Sequence, residues 1–126
     1  MTEQDKEAIV GRAILAEKKN NETLAALDSE LRETTECLQA MVYGLNNHQQ
    51  QIEFQPDAVR TPTHQTEYRR IPLKVFNMSL LQNLLQDRKQ CLETRRKLHD
   101  ELVRLGVRNQ TEEITFEDIG KFRQRA

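Results

Sequence analysis

Apolar side chains recur every three or four positions through the first third of the chain, at Leu24, Leu27, Leu31, Leu38, Met41 and Leu45, with Thr34 filling the remaining place. Alternating steps of three and four are the spacing of a coiled-coil seam, so the run predicts a long helix burying one stripe. Upstream the ladder continues as Ile9, Ala13, Ala16 and Asn20, and a second step of four joins Asn20 to Leu24. That irregularity is a stutter, which locally unwinds a supercoil. It falls within the seven consecutive polar residues 17–23, where a bend or a full break of the helix is expected. Thr2 and Asp5 have the spacing of a capping box, with Asp in place of Glu or Gln, and place the helix start near residue 3. Gly44, Asn46 and Asn47 weaken its far end, so helix one is read as about 3–48.

A second stripe runs Leu81, Leu84, Leu85, Arg88, Cys91, Leu92, Arg95, Leu98, Leu102 and Leu105. Ser79 and Gln82 have capping-box spacing at its start, and Gly106 followed by Val107 matches a glycine C-cap at its end, so helix two is read as about 76–105. Between the helices, a connector of about 49–73 holds all three prolines (Pro56, Pro62, Pro72), Gln49 to Gln51 and two of the three histidines. Ile52 and Phe54 alternate with polar neighbours, as do Ile71, Leu73 and Val75, which is compatible with a small β-hairpin or an extended arm. The tail, 107–126, carries Ile114, Phe116, Ile119 and Phe122, with Thr115 and Asp118 placed to start a short C-terminal helix.

These elements predict an all-α chain: an antiparallel two-helix, coiled-coil-like hairpin forming one domain over 1–126, with a polar connector and a short C-terminal helix. Pairing outward from the connector puts Leu45 near Leu81 and Leu24 near Leu102 or Leu105. Residues 1–20 then overhang, and the tail is expected to fold over Ile9, Ala13 and Ile14. Helix–hairpin–helix is similar, in layout and not in motif, to small prefoldin subunits.

Composition agrees with long, wet helices. Of 126 residues, 31% are charged and 5% aromatic, and four glycines are fewer than a compact α/β enzyme uses for turns and ligand approach. Net charge is −1, but residues 1–55 carry ten acids and five bases while 56–126 carry ten acids and fourteen bases. Segments of opposite sign attract when a chain folds back on itself. The opening residues are acidic, unlike a signal peptide, and no apolar run approaches the roughly 18–20 residues of a membrane span. A cytoplasmic protein is expected, with the nucleus as the other compartment.

No phosphate-binding glycine loop, zinc-protease helix, nucleophile elbow or dinucleotide fingerprint occurs. Catalytic, cofactor and metal sites are therefore not expected, and His48, His64 and His99 are read as loop or surface residues. Cys37 and Cys91 are read as partly buried thiols acting as small hydrophobes, although the expected register brings them near enough to consider a redox link. The basic cluster Arg88, Lys89, Arg95, Arg96 and Lys97 would grip phosphates in a nucleic-acid accessory protein. The favoured reading is a solvated face whose Arg88 and Arg95 cover leucines and reach Glu30, Glu33 and Glu36.

Helix two is apolar over a wider arc than one partner helix needs, through Leu80, Leu81, Leu84, Leu85 and Leu92. A lone two-helix hairpin buries little area. A further helix is expected there, from a second copy in a four-helix bundle or from a different protein. The function expected is a non-enzymatic adaptor or structural subunit acting through that face. A small helical chaperone or secretion-type escort of an amphipathic client is the alternative, with nucleic-acid binding behind it.

Overall fold

The computed structural model describes residues 2–109. Helix α1 spans Glu3–Asn47, strands β1, β2 and β3 span Glu53–Phe54, Ala58–Pro62 and Tyr68–Pro72, and helix α2 spans Met78–Arg104. Short 3-10 turns, Gln49–Gln51 and Leu73–Phe76, lead into the sheet and out of it.

The three strands form one antiparallel sheet in the order β1-β2-β3. The expectation of an all-α two-helix hairpin is thereby overturned, because the connector is itself a folded element. Its physical basis lies in Ala58, Val59, Thr61 and Pro62, of which β2 buries all four. β-Branched Val59 and Thr61 share one face of the strand by alternation, while Ala58 and Pro62 are buried on the other, on either side of exposed Arg60. The short C-terminal helix expected to start at Thr115 and Asp118, and the tail's cover of Ile9, Ala13 and Ile14, fall outside the described residues.

α1 begins with the reciprocal capping box. The Thr2 hydroxyl accepts from the Asp5 amide at 3.2 Å, and the Asp5 carboxylate accepts from the Thr2 amide at 3.3 Å. The helix then runs without interruption through 17–23, so the break held open for that polar stretch is absent. Threonines there and beyond return their hydroxyls to their own helix: Thr23, Thr34 and Thr35 donate to the carbonyls of Lys19, Glu30 and Leu31. α2 is capped by Asn77 rather than by the Ser79–Gln82 box, its side-chain oxygen accepting from the amides of Ser79 and Leu80 at 3.0 and 3.2 Å. Its C-terminus closes on Gly106, at φ 78°, with the Val107 amide donating to Leu102 and the Gly106 amide to Val103. Both bonds of a Schellman cap are present.

The chain divides into two compact units. Among the described residues, 2–24 and 89–109 form one, and 25–88 form the other. In the first, Ala13 and Leu24 of α1 and Cys91, His99 and Leu102 of α2 are buried. Asn20, the polar residue on the seam, donates its amide to the Cys91 carbonyl at 2.8 Å. Glu17 receives two hydrogen bonds from the Arg108 guanidinium, one at 2.6 Å, and that bond holds its carboxyl below the ordinary glutamate range. Arg108 thus straps the turn after α2 onto α1. Asn20 opposite Cys91 sets a register different from the expected one, in which Leu24 met Leu102 or Leu105.

Candidate interaction surface

The unit of residues 25–88 carries the sheet, and α1 supplies its floor. Cys37 of α1, Ile71 of β3 and Val75 form the core, with Leu38, Ala40 and Met41 packed against it. Burial pushes the Cys37 thiol above its ordinary pKa. Val59 pairs with Ile71 and Thr61 with Arg69, so these four side chains share the sheet face turned to α1. At Gly44 the sheet approaches so closely that a Cβ would lie 1.9 Å from the Thr61 hydroxyl oxygen. Gly44 is therefore no helix terminator; it is the position that lets β2 seat on α1.

Arg69 anchors the sheet to the same helix from outside the core. Its guanidinium lies 2.7 Å from a Glu33 oxygen and 3.6 Å from a Glu36 oxygen. The hydrogen bond from Arg69 holds the Glu33 carboxyl below the ordinary range. These are two of the three glutamates expected to meet Arg88 and Arg95 of helix two. The sheet takes them instead, because it occupies the α1 face from Glu33 to Gly44. For the same reason α2 starts opposite the middle of α1 and not its end. Arg88 pairs with Asp28 at 2.5 Å, and Leu80, Leu81 and Leu84 share a cleft with Glu30 and Thr34. Leu45, expected against Leu81, is exposed.

The predicted leucine face divides accordingly. Leu81 and Leu84 are half-buried, whereas Leu80 and Leu85 are 45% and 53% exposed. Leu92 belongs to the other unit and is half-buried there. Of the twelve large apolar residues left exposed among the described residues, five fall in this stretch, where Leu73, Phe76 and Met78 join Leu80 and Leu85; Phe54, at 79%, is the most exposed and lies on β1. Met78, Leu81 and Leu85 follow steps of three and four on α2, so they lie along one side of that helix. Sequence reading missed Leu73, Phe76 and Met78, since a strand-and-helix junction has no single period to reveal them.

The basic cluster is also split. Arg88 is half-buried and engaged by Asp28 in the 25–88 unit, while Lys89, Arg95, Arg96 and Lys97 belong to the other. Cys37 and Cys91 are both free and buried, each in the core of a different unit. His48 and His64 both meet Tyr43: its ring lies 3.7 Å from that of His64 by centroid, and its hydroxyl lies 3.4 Å from His48 Nε2. His99, expected at the surface, is buried. The described residues contain no group of three or more His, Cys, Asp or Glu side chains placed to hold a metal ion, and no helix among them is long and apolar enough to cross a membrane.

No protein-family model matches the sequence, and comparison with curated proteins and with solved structures found no match.

Proposed function

We propose that the chain is a non-enzymatic interaction module that self-associates or joins a larger helical assembly through the leucine-rich face at the start of α2. The observation that carries this reading is the run of exposed large apolar side chains from Leu73 to Leu85, with Met78 63% exposed. Scattered surface leucines are ordinary, but five exposed large apolar residues within thirteen positions are a density that supports a surface covered by another protein. The interior of this unit is small: beyond the cluster of Cys37, Ile71 and Val75, only Gly44 of α1 and Ala58, Val59, Thr61 and Pro62 of β2 are buried in it among the described residues. A unit with so little interior gains stability when a partner covers further apolar area. The engagement of Arg88 by Asp28 supports reading this one arginine of the basic cluster as part of the fold in preference to a phosphate grip.

The test is the solution mass of the full chain by light scattering, with circular dichroism on the same sample, for wild type and a Leu80→Asp/Leu85→Asp variant. Both positions are about half exposed, so the variant keeps its helicity. Self-association predicts a multiple of the 14.8 kDa chain mass that falls to the monomer in the variant. If wild type is monomeric, the two proteins are compared as baits. A partner retained by wild type and released by the variant supports hetero-assembly. Identical mass and identical captured proteins for both would remove this face from the account.

A further inference from the structure

A groove of about 710 Å3 opens in the 25–88 unit, away from the leucine face. Glu36, Ala40 and Tyr43 line one wall, from positions on one side of α1. The other wall is the β2–β3 turn with the start of β3, including His64, Glu67 and Tyr68. Two features of this groove point to a ligand of one kind.

The first is charge. Arg69 is the only basic side chain lining the groove other than histidine, and it is already matched by Glu33 and Glu36. The remaining arginines of the sheet are matched too, Arg70 by Asp57 and Arg60 by Glu53. The Glu67 carboxylate is in no ion pair among the described residues and is exposed. The groove is therefore short of positive charge, the carboxylates of Glu33, Glu36 and Glu67 in and beside it outnumbering its one guanidinium. Its two tyrosine rings already have partners within the chain, Tyr43 lying 3.7 Å from the His64 ring and Tyr68 4.2 Å from the Arg60 guanidinium by centroid, so the selection rests on the carboxylates.

The second is an open sheet edge. In the order β1-β2-β3, β3 pairs with β2 on one side, and no described strand pairs on the other. Tyr68 and Arg69 of that strand line the groove, so a segment lying in it runs beside unpaired backbone donors and acceptors.

We infer that this groove takes an extended basic segment of another polypeptide. The segment adds backbone hydrogen bonds along β3, and a lysine or arginine side chain enters between Tyr43, Glu36 and Glu67. Strand addition provides affinity through the main chain, and the acidic recess selects the side chain. An acidic segment or a phosphate backbone would instead meet Glu36 and Glu67.

Backbone amide shifts of the isotope-labelled full chain, titrated with capped five-residue peptides, test this. The peptides are Thr-Val-Lys-Val-Thr, its arginine counterpart, and a control with glutamine at the centre. The expected result is saturable shifts at Tyr43, His64, Glu67 and Tyr68 with the lysine and arginine peptides and not with glutamine. Glu67→Gln, on an exposed position, should weaken binding about three-fold, and the combined Glu36→Gln/Glu67→Gln change by more. Equal binding of the glutamine peptide, shifts confined to other residues, no shift at millimolar peptide, or unchanged affinity in the double variant each overturn the proposal.

Discussion

Thr61 of β2 sits directly over Gly44 of α1, at a separation where an added Cβ would come within 1.9 Å of its hydroxyl oxygen and 3.2 Å of its own Cβ. The residue that weakens the helix by propensity is thus the one that admits the sheet. Gly44→Ala sets two effects against each other. Alanine favours the helix by about 1 kcal/mol, while overpacking of this kind typically costs about 1–3 kcal/mol. Because Thr61 is fully buried and held in the ladder opposite Arg69, it has little room to move, and net destabilisation is expected. Urea denaturation decides the sign, and adding Thr61→Ala should restore part of the loss by removing the nearest atom. A Gly44→Ala protein more stable than wild type would mean that β2 does not seat here.

Ile71 is fully buried against Cys37 and Val75, so Ile71→Ala removes the centre of the small core in the 25–88 unit. Substitutions of this type cost about 2–5 kcal/mol. In a unit with so few other buried apolar residues, the loss should appear as selective exposure of the sheet. Hydrogen exchange would show the amides of β2 and β3 losing protection while those at the start of α1 keep theirs.

Cys37 is fully buried and its thiol pKa is raised by desolvation, both of which oppose thiolate formation. Its reaction with an aromatic disulfide reagent at neutral pH should be far slower in the native protein than in urea. Its rate should rise in Ile71→Ala, which opens the same core. Fast native labelling of Cys37 would contradict the packing described for it.

The Glu17–Arg108 pair makes stability depend on acid pH. The folded carboxyl lies below the ordinary glutamate value of 4.5, so folding favours its charged form. The contribution is complete above about pH 4.5 and is lost as pH falls through the folded value. Glu33, lowered by Arg69, acts in the same direction but is exposed and contributes less. Thermal melts from pH 7 down to pH 3 should show Glu17→Gln less stable than wild type at neutral pH, with the gap closing as acid protonates wild-type Glu17.

Asn20 holds the register of its unit through the Cys91 carbonyl. Asn20→Ala is expected to cost about 0.5–1.5 kcal/mol, the usual net value of such a bond. Asn20→Leu should recover that stability by burying apolar surface on the seam. A double-mutant comparison with Arg108→Ala separates this bond from the neighbouring ion pair.

The two helices were legible in the sequence because a buried stripe leaves a period of three to four, and the start of α1 and the end of α2 because their caps are local chemistry. Thr2 with Asp5 and Gly106 with Val107 need no partner more than a few residues away. The expected interface leucines were legible as a wide apolar arc, but not their division into half-buried Leu81 and Leu84 and exposed Leu80 and Leu85. That division depends on what α1 presents opposite them. The sheet was legible only as alternation around Ile52 and Ile71, because strands of two to five residues stabilise one another by pairing across the chain rather than by their own pattern. Its seat on α1 depends on one missing side chain, at Gly44, whose meaning appears only when Thr61 is brought above it. Once the sheet covers Glu33 to Gly44, α2 has to start farther along α1, and Arg88 meets Asp28 in place of the glutamates. Local periodicity and capping determined the helices; long-range packing, which carries no local signature, decided the register, the partners of each charge and the surfaces left open.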